Sequence, residues 1–175
     1  MELIRSGAGR SRIGGKGAQL VVLREMGLPV PDFFVIPADS DIDEPRLLEA
    51  RRELGPEVAV RSSALAEDAA TASFAGQFDS VLCVVDDDSF LEAVRTIRAS
   101  TESERVKVYC ERHGLDAADM KMAIVVQRMF PSAVSGVMFT ADPTTPADDI
   151  VLMLSSESPD YIGAYTSLDP TMSET

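Results

Sequence analysis

Two cationic side chains lie in segments whose neighbouring residues suit the binding of a phosphate group. Lys16 stands within the glycine-rich run IGGKGAQL, and Arg61 lies between the apolar run VAV and the small residues Ser62 and Ser63. Arginine presents a planar fork of donors, and small residues allow backbone N–H groups to approach an anion. The same residues also fit a flexible helix start and a surface loop with a structural salt bridge, so both interpretations stay open at this point.

The glycine-rich run predicts an anion site of a general kind. Gly14, Gly15 and Gly17 surround Lys16, and we expect them to form a flexible turn before a helix over residues 18–26. Loop N–H groups and the positive end of a helix dipole both favour phosphate, and the ammonium adds a point charge. The run is not a Walker A loop, because Lys16 is followed by Gly17 where that motif has Ser or Thr.

The composition indicates a globular protein with one sizeable core or two small lobes. The chain has 175 residues, of which 45% are hydrophobic and 26% are charged. It contains no apolar run of roughly 18 residues and no apolar N-terminal signal, so we expect neither a membrane span nor secretion. Cys83 and Cys110 are far apart and show no metal or redox spacing, which predicts buried free thiols in a reducing cytoplasm.

The net charge of −13 is distributed unevenly along the chain. Residues 1–24 contain five basic residues and a single acid, Glu2, whereas seven acids and no Lys or Arg follow Arg128. A basic end and an acidic end in one chain suit a site for a small anion better than a nucleic-acid surface. The acidic end also serves solubility.

Hydrophobic periodicity predicts alternating strands and helices that position these residues. Strands are expected over residues 33–37, 58–60, 79–85, 122–129, 133–140 and 149–154, and further helices over 45–54, 90–98 and 102–113. Gly136 inside a strand suggests a bulge or a close backbone approach. Residues 62–78 are too polar for core and lack a period, so we expect a loop there. Residues 1–12 are expected to be a mobile leader, and residues 155–175 an irregular tail.

Three longer blocks, in this order, resemble one protein family. GGKGAQL with GLPVPDFFV, VAVRSSALAEDAATASFAGQFDSVLCV, and VVQRMFPSAVSGVMFTADPTTP are similar to the nucleotide-binding domain of pyruvate phosphate dikinase and phosphoenolpyruvate synthase. Rifampin phosphotransferases and glucan water dikinases share that domain. The resemblance covers residues 13–146. It implies an α+β, ATP-grasp-like fold over residues 13–154, incomplete at its C-terminal side, in which two small lobes clasp ATP.

The resemblance also assigns residues to the ATP phosphates. Lys16 and Arg61 match the lysine and arginine that contact them and are the expected catalytic groups. Gly76 and Ser80 match a glycine and a small hydroxyl residue that approach the phosphates from a mobile loop, here residues 64–76. Phosphoryl transfer needs positioned cations and backbone donors more than a nucleophile on the protein, which agrees with these residue types.

Adenine recognition and metal binding are implied less completely. Gln127 matches a glutamine beside the adenine, with backbone groups of Arg128 and Met129 reading the edge of the base. The family uses Mg²⁺, but its acidic ligands lie in a later segment for which we find no match, so no metal ligand is assigned. The only histidine, His113, lacks the surroundings of a phosphohistidine domain.

The expected function is therefore that of the ATP-binding portion of a phosphoenolpyruvate synthase-like phosphotransferase. It would hold ATP phosphates for transfer to a histidine on a domain absent here, supplied by the remainder of the enzyme as a separate chain or domain. The chain alone is expected to be inactive. Two alternatives stay open, namely a non-catalytic remnant that serves as an interaction module and the ATP-binding part of a rifampin phosphotransferase or glucan dikinase. No nucleic-acid or membrane partner is expected.

Overall fold

The computed structural model describes residues 2–7, 10–65, 68–69, 72–73, 80–113, 116, 120–131, 135–139 and 151–155. Its elements, in chain order, are α1 (Arg10–Glu25), β1 (Phe33–Ile36), α2 (Glu44–Leu54), β2 (Val58–Ala64), β3 (Asp68–Ala69), β4 (Ala72–Ser73), β5 (Ser80–Val84), α3 (Asp87–Ala99), a 3-10 turn (Ser100–Glu102), α4 (Glu104–His113), β6 (Met122–Arg128), β7 (Ser135–Phe139) and β8 (Val151–Ser155). They fall into two compact units, Met1–Met129 and Phe130–Thr175.

The first unit contains a four-stranded antiparallel sheet in the order β1-β6-β2-β5. β6 lies at its centre, and its residues from Met122 to Val126 are all buried. Such a continuous apolar strand is expected only where both faces of a sheet are covered. The short strands β3 and β4 form a separate antiparallel pair. The mixed helices and antiparallel strands confirm the α+β class.

Two hydrophobic cores lie on the two faces of this sheet. On one face, α2 and α3 cover side chains that include Phe34, Val60 and Ile124. On the other face, α1 covers Val35 and Val125. Because successive side chains of a strand point to opposite faces, every second residue of β2 and β6 faces α1. This alternation decides which polar residues reach the site described below.

The glycine-rich run lies inside α1 and is not the flexible turn that we expected. Gly14 alone leaves the helical conformation, with φ 67° and ψ 179°, and the helix resumes at Gly15. Only glycine adopts such a backbone conformation without strain. Lys16 therefore lies in the first turn of the second helical segment.

Side-chain caps stand at the starts of helices α2 and α3. The Asp43 carboxylate accepts a hydrogen bond from the Arg46 N–H at 3.3 Å, and the Asp86 carboxylate accepts one from the Ser89 N–H at 2.8 Å. Each bond satisfies one of the N–H groups that a helix leaves unpaired at its start. Asp43 and Asp86 are therefore the N-caps of α2 and α3.

Strand β2 is longer and more buried than its polarity suggested. It continues through Ala64, and Ser62 and Ser63 are only 1% and 0% exposed. The expectation of a loop from Ser62 onward was wrong, because strand pairing with β6 continues to Ala64 and Met122. Residues 66–67, 70–71 and 74–79, which fall within the expected loop, lie outside the described part of the chain.

The N-terminal segment differs from the mobile leader expected over residues 1–12. The backbone N–H and C=O of Ile4 both bond to Val35, at 2.9 and 2.8 Å, and the Ile4 side chain is buried. A single apolar residue thus extends the sheet beside β1. Periodicity missed it because one bridge has no sequence period.

One of the two cysteines, both expected to be buried free thiols, differs from expectation. Cys110 is buried, and its burial raises the pKa of the thiol, whereas Cys83 is exposed. Cys83 has φ 57°, and the β2–β5 register shifts between Val58 and Val60. An extra residue in one strand is a β-bulge, which turns the side chain away from the regular alternation.

The second unit contributes the antiparallel pair β7 and β8. Ser135 pairs with Ser155 and Phe139 with Val151, and the register runs through Gly136 without a shift. The bulge that we considered at Gly136 is therefore not found. In the part of the chain that the structure covers, none of the helices combines the length and apolarity needed to cross a membrane.

Candidate functional site

Lys16 and Arg61 line the same pocket, although they are 45 positions apart in the sequence. The pocket has a volume of about 170 Å³ and lies between α1 and the sheet. Its lining consists of Lys16, Gln19, Leu20, Leu23, Arg61 and Val125. The described lining thus has two cations, one amide, three apolar side chains and no carboxylate.

Helix α1 supplies four of these side chains from one stripe. Lys16, Gln19, Leu20 and Leu23 follow the spacing i, i+3, i+4 and i+7, which places residues on one face of a helix. The stripe could be read only once the helix was known to resume at Gly15. Gln19 is therefore a site residue that was not predicted from the sequence.

Strands β2 and β6 supply the other two side chains. Arg61 pairs directly with Val125, so both side chains point to the α1 face. Arg61 lies in the middle of β2 rather than at its end. Arg61 pairs with Val125 of β6 on one side and with Ser80 of β5 on the other. Its backbone is therefore fixed on both sides.

The two cationic motifs are joined by a buried hydroxyl. Ser63 Oγ accepts a hydrogen bond from the Gly17 N–H at 3.0 Å and donates one to the Ile13 carbonyl at 2.7 Å. A Cβ atom on Gly14 would lie 2.2 Å from the Ser63 carbonyl oxygen, so only glycine allows this approach. The part of Ser63 in joining the two motifs was not predicted from the sequence.

Two further predicted residues lie on the same face of the sheet. Ser80 is exposed and is the register partner of Arg61. Gln127 follows Val125 by two positions on β6, and its Nε2 donates to the Pro31 carbonyl at 3.5 Å. Lys16, Arg61, Ser80 and Gln127 therefore share one side of the sheet. Gly76 lies outside the described residues.

Backbone groups of Arg128 and Met129 are predicted to read the edge of a base, and the N–H groups of both residues already form hydrogen bonds. Their backbone N–H groups donate to the carbonyls of Asp32 at 2.8 Å and Glu57 at 3.0 Å. The Arg128 guanidinium also forms an ion pair with Asp32 at 3.1 Å and donates to the Leu54 carbonyl. Both amides are thus already engaged, and a base could use them as donors only by displacing these bonds.

The pocket has the chemistry of an anion site but not the size of a whole nucleotide site. Pockets for small molecules have volumes of about 300–1,000 Å³. The volume here suits a phosphate-sized group between the two cations, with the rest of a larger ligand outside it. Among the residues that the structure covers, no three His, Cys, Asp or Glu side chains lie close enough to hold a metal ion.

One protein family matches a large part of the chain. A family model described as "Pyruvate phosphate dikinase, AMP/ATP-binding domain" matches residues 44–156. Arg61, Ser80 and Gln127 fall within that range, and Lys16 precedes it.

Curated relatives carry the names of phosphotransferases and synthases. An uncharacterized phosphotransferase of Bacillus subtilis strain 168 is 34% identical over 173 residues, covering 82% of this chain and 21% of that protein. A phosphoenolpyruvate synthase of Aeropyrum pernix is 34% identical over 155 residues, covering 85% of this chain and 18% of that protein. A rifampicin phosphotransferase of a Streptomyces species is 51% identical over 87 residues, covering 50% of this chain and 10% of that protein.

The chain spans about a fifth or less of the length of these three relatives. The family match covers more than half of the chain and includes three of the residues gathered on one side of the sheet. The chain therefore belongs to the family of the pyruvate phosphate dikinase AMP/ATP-binding domain.

Proposed function

We propose that this chain is the ATP-binding part of a phosphoenolpyruvate synthase-like phosphotransferase and that Lys16 and Arg61 hold the phosphates of ATP. One observation carries the proposal: two cations from distant motifs line one pocket. A polyphosphate placed there would meet charge-assisted hydrogen bonds, which are the stronger ones in proteins. Membership of an AMP/ATP-binding family supports the choice of ATP over other anions.

The remaining predicted residues take roles around that centre. Ser80 and Gly76 would approach the phosphates, and Gln127 would lie toward the adenine. Because the amides of Arg128 and Met129 bond to other backbone carbonyls, we assign them to holding the end of β6. The fold is proposed to be ATP-grasp-like over residues 13–154, with residues 155–175 as a tail.

The chemistry would be supplied by bound ATP with Mg²⁺, and the phosphate acceptor would be a histidine on another domain. Residues of this chain would bind and orient the phosphates and offset their negative charge. Such electrostatic stabilisation is a large part of catalysis in phosphoryl transfer. The described residues offer no metal ligand set, so the Mg²⁺ ligands are proposed to lie in other segments.

Calorimetry with Mg-ATP tests the proposal directly. We expect weak binding by the 175-residue chain, and Lys16→Met and Arg61→Met should each weaken it by about 1–3 kcal/mol, the usual size of a charge-assisted contact. Lys107→Met and Arg95→Met are matched controls, since both residues are exposed on α4 and α3, away from the pocket. The absence of binding at millimolar Mg-ATP would overturn the proposal.

A thermal shift experiment separates this function from that of a non-catalytic remnant. A ligand that binds the native state raises the unfolding temperature, whereas one that does not bind leaves it unchanged. We expect Mg-ATP to raise the unfolding temperature of the unchanged chain and to do so less in Lys16→Met. An unchanged melting curve at high Mg-ATP would favour the remnant.

An antibiotic is the second candidate for the phosphate acceptor. The Streptomyces rifampicin phosphotransferase has higher identity, 51%, than the phosphoenolpyruvate synthase, 34%, although over a shorter stretch. Both alternatives use the same proposed ATP site. Mass spectrometry of the products formed from ATP with pyruvate or with rifampicin, by the protein that carries this segment, distinguishes them.

A further inference from the structure

The Ser63 side chain bonds directly to the backbone on both sides of the break in α1. Its hydroxyl donates to the last carbonyl before the break, that of Ile13, and accepts from the N–H of Gly17 after it. The side chain is fully buried. Gly14 has no side chain of its own that could cap the second helical segment.

The bond from the Gly17 N–H to Ser63 Oγ takes the place of the bond that an N-cap side chain would make. A side-chain oxygen at an N-cap accepts from the N–H two or three positions into the helix. With Gly14 at the break, Gly17 is the third residue of the segment, and Ser63 from β2 supplies the oxygen. The start of the helix that carries Lys16 is therefore fixed to the strand that carries Arg61.

The two cations are close to this bond along the chain. Lys16 immediately precedes Gly17, and Arg61 precedes Ser63 by two positions, which places Arg61 and Ser63 on the same face of β2. The Ser63 hydroxyl thus connects the backbones that carry the two cations. Binding of one ligand to both cations costs less conformational entropy when the backbones that carry them are already fixed in place.

We propose that Ser63 is a positioning residue that sets the spacing of Lys16 and Arg61 for binding the phosphates of a nucleotide. This inference rests on the proposed function. Ser63 is buried beneath the α1 break and is not proposed to contact the ligand. Its effect on nucleotide affinity is carried through Lys16.

Ser63→Ala and Ser62→Ala form a matched pair for the test. Both residues are buried neighbours on β2, but Ser62 faces the opposite core, and its Oγ has no hydrogen-bond partner among the described residues. We expect Ser63→Ala to weaken Mg-ATP binding about tenfold, as for the loss of one hydrogen-bonded support. Ser62→Ala should leave the dissociation constant unchanged. Both are measured by calorimetry at a temperature where circular dichroism shows a folded chain.

A double variant separates positioning from general destabilisation. If Ser63 acts through Lys16, adding Ser63→Ala to Lys16→Met should cause no further loss of affinity, because the two changes remove the same interaction. Additive losses overturn the inference. So does a Ser63→Ala chain that binds as the unchanged chain does while Lys16→Met binds more weakly, and that result leaves the proposed function intact. If the unchanged chain does not bind ATP, both proposals fail.

Hydrogen exchange of the unchanged chain tests the inference even if Ser63→Ala does not fold. Because coupling between two equilibria is reciprocal, a bond that favours ATP binding must itself be favoured by bound ATP. Mg-ATP should therefore slow exchange of the Gly17 amide by a larger factor than that of the Val94 amide in α3. Equal factors at the two amides overturn the inference.

Discussion

At the scale of single residues, Gly14 allows the segments that carry Lys16 and Arg61 to meet. Its φ of 67° is left-handed, and the Ser63 carbonyl oxygen occupies the place that a Cβ would need. Glycine is therefore needed at this position for two separate reasons. The first is the left-handed backbone of Gly14 itself, and the second is the closeness of the Ser63 carbonyl oxygen.

The substitution Gly14→Ala should therefore be severe. We expect it to lower the free energy of unfolding by roughly 4 kcal/mol or more, because a backbone oxygen at 2.2 Å cannot move aside without shifting β2. Urea denaturation followed by circular dichroism measures the change.

Gly27→Ala is the matched control for Gly14→Ala. Gly27 has φ 76°, but no atom lies within 4 Å of the position of its Cβ. It should cost only the strain of a left-handed alanine, about 1–2 kcal/mol. Similar losses in the two variants would contradict the steric explanation.

At the scale of elements, periodicity predicted β1, α2, α3 and β6 close to their observed bounds. Their signals are local, since caps and alternating apolar residues lie within each segment. The helical start of α1 and the buried polar end of β2 were not predicted. Each depends on the other through the bond between Gly17 and Ser63, which are 46 positions apart. Such dependence is invisible to a pattern read one segment at a time.

The same limit applies to the candidate site. Lys16 and Arg61 could be proposed from their neighbours in sequence, and the structure places both in one pocket. The contribution of Gln19 depends on where α1 resumes. The engagement of the Arg128 and Met129 amides depends on the carbonyls of Asp32 and Glu57, which no local pattern identifies.

Arg98 of α3 joins several elements of the first unit. Its guanidinium donates to the carbonyls of Ala38 at 3.0 Å, Met122 at 2.8 Å and Pro37 at 3.2 Å. Burial lowers the pKa of this guanidinium, an effect that the charge of Asp39 opposes. The side chain thereby links the end of β1 and the start of β6 to α3.

We expect Arg98→Met to lower the free energy of unfolding by about 2–3 kcal/mol, because it leaves several backbone carbonyls without their donor. Arg98→Lys should recover only part of this loss, since an ammonium cannot reproduce the planar fork. Arg95→Met on the same helix removes an exposed ion pair with Glu44 and should cost less than about 1 kcal/mol. Urea titrations that rank Arg95→Met beside Arg98→Met would contradict this role.

At the scale of the whole molecule, the net charge of −13 comes from many carboxylates, and their protonation at low pH can change the free energy of unfolding. Two carboxylates of the first unit have lowered pKa values. Hydrogen bonds from the backbone and hydroxyl of Ser89 lower the pKa of Asp86, and a hydrogen bond from Arg12 lowers that of Asp39. A carboxylate with a lowered pKa in the folded state contributes stability that is complete above its unfolded pKa and is lost as the pH falls through the folded pKa.

The free energy of unfolding should therefore fall as the pH drops below about 4, the usual pKa of an aspartate. Asp86→Asn and Asp39→Asn should each make this fall shallower, because neither variant has a carboxylate to protonate at that position. Asp41→Asn, which removes one negative charge from an exposed position before α2, is the control for the change in net charge. Urea denaturation from pH 7 to pH 2 provides the comparison. Protonation also reduces the repulsion among the remaining acids in every variant, so the difference in slope, rather than the slope itself, reports on Asp86 and Asp39. Equal slopes in all four proteins would show that neither carboxylate contributes to acid stability.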